Sequence, residues 1–96
     1  MPELSSFQTR CEEALKVALA QFGARLVDRQ VSGVGESYVR ARIDGTDLEV
    51  YIYADEAQVQ GEGVDERFET PDFKTGDLLC EAFILKATEL AKNAAA

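Results

Sequence analysis

The amino-acid sequence predicts an α+β fold: a two-layer sandwich in the order helix-β-β-β(-β)-helix, with a three- or four-stranded antiparallel sheet and both helices on one face. Three observations predict it. An apolar stripe at three- and four-residue spacing runs through residues 5–22, an apolar-polar alternation flanks Asp44-Gly45 on both sides, and a wide apolar arc covers residues 76–92. The first and third have the period of a helix, the second that of a strand with one face buried.

The first stripe comprises Leu4, Phe7, Cys11, Ala14, Leu15, Ala18, Leu19 and Phe22. Ser5 followed by Gln8 is a capping-box pair, and Gly23 suits the position that closes a helix. The segment "ARLVDRQV", residues 24–31, is strand-like but has two unsatisfactory faces. One sets Val27 and Val31 with Arg29, the other Leu26 with Asp28 and Gln30. "SGVGE", residues 32–36, turns the chain. Its G-x-G lacks the third glycine and the following helix of a dinucleotide fingerprint.

Asp44-Gly45 predicts a hairpin with a two-residue type I' turn. In that register Ile43 opposes Thr46, Ala41 opposes Leu48 and Val39 opposes Val50, with Ile52 continuing the core face. The other face then pairs Arg42 with Asp47, Arg40 with Glu49 and Tyr38 with Tyr51. A second turn near Asp55 and Glu56 leads to a short strand with Val59 opposite Ile52. Residues 61–75 are pinned by Phe68 and Phe73, and Val64, Glu66 and Phe68 can form an edge strand, because a structureless loop of that length is unusual in a small domain.

The last helix spans residues 76–92, with Thr75 or Asp77 near its start, Lys86 and Lys92 toward its end, and a fraying "NAAA" tail. Leu79, Ala82, Phe83, Ala87 and Leu90 form the centre of its arc, which Cys80, Ile84 and Ala91 widen on one side. The predicted core contains Leu15, Leu19, Val39, Ala41, Leu48, Val50, Ile52, Leu79 and Phe83.

Residues 1–96 are the length of a single domain. At 46% hydrophobic residues the chain is too apolar to remain disordered, and no run reaches transmembrane length. The opening "MPELSSFQTRCEEAL" has no secretory signal, which predicts a cytoplasmic protein. Cys11 and Cys80 form no C-x-x-C motif and are expected as reduced thiols; a disulfide between the helices is the alternative.

The chain has no histidine, so a catalytic dyad or zinc site would have to be built without imidazole. The acidic groups Asp44 with Asp47, and Glu62 with Asp65 and Glu66, match no calcium-loop spacing and read as solvated loop acids. No catalytic residue, cofactor or metal ligand is assigned, and the expectation is a protein that is not an enzyme. A net charge of -8 disfavours nucleic acid, and no membrane association is expected.

The element order is similar to that of the double-stranded-RNA-binding fold, a likeness of order alone. That fold implies a second helix starting with basic residues, whereas "PDFKTGDLLCEA" sets Lys74 against Asp72, Asp77 and Glu81.

The outer hairpin face, with Tyr38, Arg40, Tyr51 and Tyr53 beside Arg42, carries the residue types of protein interfaces, although tyrosines and Arg-acid pairs also decorate solvated sheets. The expected function is a small acidic protein-binding or self-associating module of bacterial type, comparable to an antitoxin, immunity or regulatory protein. The expected partner is a basic protein or a second copy. A flank of the last helix around Cys80, Ile84 and Ala91 is the alternative interface. A small-molecule binder with a pocket between helices and sheet is the alternative function.

Overall fold

A computed structural model describes residues 4–33 and 37–95. It is an α+β sandwich: helix α1 (Ser6–Ala20), strands β1 (Leu26–Ser32), β2 (Tyr38–Ile43), β3 (Glu49–Ile52), β4 (Ala57–Gly61) and β5 (Val64–Phe68), a 3-10 turn (Thr70–Asp72) and helix α2 (Gly76–Ala95). The strands form one antiparallel sheet in chain order, with α1 over β3 and α2 over β4 and β5. The sheet has five strands where three or four are expected, because both ambiguous segments, residues 24–31 and 64–68, join it.

Ser5 caps α1 through the capping box with Gln8, and Ala24 donates back to the Leu19 carbonyl at 3.0 Å to close the helix. Thr75 caps α2, its hydroxyl accepting from the Leu78 N–H at 3.1 Å. α2 continues to Ala95, so residues 93–95 of the expected frayed tail are helical. Alanine has the highest intrinsic helix propensity, and three follow Asn93. The turn expected over 32–36 falls in part on residues 34–36, outside the described ones.

The predicted core is observed: Leu15, Leu19, Val39, Ala41, Leu48, Val50, Ile52, Leu79 and Phe83 are all buried, joined by Ile43, Ala57, Val59, Ala87 and Ala91. Phe68 packs edge-on to Phe83 at 5.9 Å and Phe73 lies 6.3 Å from Phe68, so the two phenylalanines pin the segment between β4 and α2 as expected.

The pairing differs from expectation by two residues at each hairpin. Ala41 opposes Val50 and Val39 opposes Ile52, while Val59 opposes Val50 and Ile52 opposes Ala57. Side chains alternate with period two, so a two-residue slip leaves every face unchanged. That is why the core is as expected while the partners are not.

The cause at the first hairpin is Thr46. Its hydroxyl donates to the Ile43 carbonyl at 2.8 Å and accepts from the Leu48 N–H at 3.0 Å, so residues 44–47 form a four-residue loop closed by Ile43 and Leu48. Gly45 has the expected positive φ, +80°. Asp44 does not, which excludes type I' and fits type II, where only the second central residue is left-handed.

β1 escapes its two-face conflict through a bulge. Asp28 takes φ +56°, and Asp28 and Arg29 together stand opposite Ala41. The extra residue brings Leu26 and Val31, five apart, onto the core face. Val27 and Gln30 stay on the outer one.

Candidate functional site

Period-two alternation puts Tyr38, Arg40 and Arg42 of β2, Glu49 and Tyr51 of β3, Gln58 and Gln60 of β4, and Asp65 and Arg67 of β5 on the face away from the helices. Tyr53 follows at the end of β3. Among the expected site residues the structure brings all four of Tyr38, Arg40, Tyr51 and Tyr53 together. Tyr51 and Tyr53 stack with ring centres 6.4 Å apart and planes 10° from parallel. Tyr38 leans on both, at 6.4 and 5.6 Å. The Arg40 guanidinium lies 5.9 Å from the Tyr51 ring centre, in cation–π range.

The slip in register changes the pairs on this face. Arg40 opposes Tyr51 rather than Glu49, and reaches Glu49 diagonally, Nε to Oε2 at 2.7 Å. Arg42 opposes Glu49 rather than Asp47 and turns to Asp28 on the bulge, at 3.0 Å.

One hydrogen-bonded chain then crosses four strands. Arg40 and the Tyr51 hydroxyl both donate to Glu49 Oε2, the latter at 2.9 Å; Gln60 donates to the Tyr51 oxygen at 3.3 Å; Gln58 donates to Gln60 at 3.4 Å and to Asp65 at 2.7 Å. These bonds, Arg40 first, hold the Glu49 carboxyl below the usual carboxylate range. Burial pushes the Tyr51 and Tyr53 hydroxyls above theirs. The face is ordered before anything binds, and Arg40, Arg42 and Arg67 balance Asp28, Glu49 and Asp65 on a chain of net charge -8.

Sequence reasoning missed Gln58 and Gln60, because glutamines two apart on a strand carry no motif, and it read Asp65 as a solvated loop acid, whereas Asp65 lies in β5 and accepts from Gln58. The same reasoning gave Gln8 its capping role with Ser5 but missed the burial of Gln8 and Glu12 and the pairing of Glu12 with Arg29. Gln8 and Glu12 are buried beneath α1, in four-three-four spacing with Leu15 and Leu19. That spacing was legible, but their polarity hid it. Gln8 donates to the Ser37 and Ile52 carbonyls at 2.9 and 3.1 Å, and Glu12 receives Arg29.

The alternative interface does not form as one surface. Ala91 is 2% exposed and belongs to the core, because the sheet covers that side of α2. Cys80 is half-buried with its thiol against that of Cys11, and both cysteines are free thiols. Ile84 lines a groove of about 520 Å³ between the helices, whose large exposed apolar residues are Val17 and Leu85, at 62% and 69%.

Among the described residues no acidic or thiol group of three or more is placed to hold a metal ion, and no helix is long and apolar enough to cross a membrane. Compared with models of known families, with curated proteins and with solved structures, the chain matches none.

Proposed function

We propose that this chain is a non-catalytic protein-binding module that works through the outer face of its sheet. The observation that carries the reading is the cluster of Tyr38, Tyr51 and Tyr53 with Arg40, stacked and hydrogen-bonded on the face no helix covers. Tyrosine and arginine supply contact area and directed bonds at low entropic cost, and their prior ordering lowers that cost further. A locally neutral face on an acidic molecule lets a partner dock flat, while the surrounding negative field favours a basic one. A small acidic antitoxin, immunity or regulatory protein of a bacterium, acting in the cytoplasm, fits this description.

The small-molecule alternative draws less support. The cavities that reach between helices and sheet, one lined by Phe7, Phe73 and Leu79 and one by Phe22, Ile43 and Ala91, hold about 220 and 170 Å³, less than an ordinary ligand pocket.

The test places a photo-crosslinking phenylalanine at Tyr53, and separately at Leu85, in cells of the source organism. A discrete protein adduct at 53, absent at 85 and lost on adding Tyr51→Asp, is expected. Adducts at 85 alone, or at neither position, overturn the reading.

A further inference from the structure

An antiparallel sheet in chain order leaves two open edges, β1 and β5. The β1 edge is interrupted by the bulge at Asp28 and Arg29, a device that blunts an edge against further pairing. β5 has no such break: its five residues pair one for one with β4, from Val64 opposite Gly61 to Phe68 opposite Ala57. Asp65, Glu66 and Arg67 are exposed, and Val64 and Phe68 are only half-buried.

The five residues Val64-Asp65-Glu66-Arg67-Phe68 complement themselves when read antiparallel. With Glu66 on a two-fold axis normal to the sheet, Asp65 stands opposite the second copy's Arg67 on the outer face, and Arg67 opposite its Asp65. On the helix side Val64 meets Phe68 twice. Residues sharing a face must keep the same parity, so the neighbouring registers slip by one position of the axis. One sets Asp65 on Asp65 and the other Arg67 on Arg67, and each separates Val64 from Phe68. Only the register centred on Glu66 gives two opposite-charge pairs and two apolar pairs, at the cost of one like-charge contact between glutamates that are exposed in the single chain.

We infer that β5 is a homodimerisation edge: two copies pair β5 to β5 about Glu66 and form a continuous ten-stranded sheet, with both helical layers on one side. The inference is independent of the partner read from the tyrosine face. The paired sheet presents two tyrosine clusters on one continuous surface.

The test is light scattering on size-exclusion chromatography over a concentration series, for wild type, Asp65→Arg, Arg67→Asp and an equimolar mixture of the two variants. Wild type is expected as a dimer of the 10.5 kDa chain. Each single variant faces two like-charge pairs across the axis and dimerises at least about tenfold more weakly. The mixture regains the dimer, because a chain with two arginines then meets one with two aspartates at both positions. Both substituted positions are exposed, and circular dichroism checks that each variant is folded. A monomeric wild type, a dimer indifferent to both variants, or a mixture that stays monomeric overturns the inference, as does a dimer broken by Tyr51→Asp instead.

Discussion

Glu12, 4% exposed beneath α1, accepts two hydrogen bonds from the Arg29 guanidinium on the β1 bulge, at 2.5 and 3.0 Å. The pair is bidentate, and it ties the first helix to the bulged edge strand β1. A carboxylate this deep is tolerated only with such a partner.

Removing the guanidinium therefore strands a buried acid. Arg29→Ala is expected to cost about 1–3 kcal/mol, and Arg29→Lys to recover only part of it, since an ammonium cannot form the fork. Arg40→Ala, whose partner Glu49 is more open to water, should cost clearly less, because an exposed ion pair is largely screened. Urea denaturation of the three variants ranks them, and equal losses for Arg29→Ala and Arg40→Ala would contradict the pairing described.

Gln8 closes the end of the sandwich where α1 begins. Its amide accepts from the Ser5 N–H at 2.7 Å and donates to carbonyls of Ser37 and Ile52, so one side chain serves the helix cap and two strand ends. Gln8→Leu keeps the volume and removes all three of these hydrogen bonds, with an expected loss of about 1–3 kcal/mol. Hydrogen exchange at the Ser5 amide should accelerate in the same variant.

Two glycines separate backbone strain from steric exclusion. Gly45 has φ +80° with nothing within 4 Å of an added Cβ, so Gly45→Ala meets only the left-handed backbone, about 1 kcal/mol. At Gly61, φ +121°, an added Cβ would overlap the Asp47 carbonyl oxygen, and the β3–β4 ladder must shift. Thermal melts should show Gly61→Ala as clearly the more destabilised, and the reverse order would refute the register of β4.

Alkaline pH should weaken the fold through Cys11. Burial, with the neighbouring Cys80 thiol second, pushes its thiol far above the ordinary range, and burial raises Cys80 in the same direction. The native state keeps these protons while the unfolded chain begins to lose its own near about 8.5, so this stability is complete below that pH and falls as pH rises above it. Tyr51 and Tyr53, also raised, add to the loss above about 10. Urea midpoints measured against pH should therefore decline less steeply from neutrality to pH 10 in Cys11→Ala than in wild type, even though the variant starts lower.

The sequence by itself determined the two helices, the faces of β2, β3 and β4, and the core they enclose, because periodicity survives any slip by two residues. It determined the tyrosine face for the same reason: Tyr38, Tyr51 and Tyr53 are placed by parity alone. Only the tertiary structure decided which residues stand opposite one another, since that depends on the Thr46 hydroxyl lengthening a loop. Only it decided how β1 reconciles Leu26 with Val31, since the bulge at Asp28 is stabilised by Arg42 and by the Glu12–Arg29 pair, both distant in the chain. Local periodicity reports which side of an element is apolar. The partner of a polar side chain is set by contacts made after the elements meet, and no spacing along one strand encodes it.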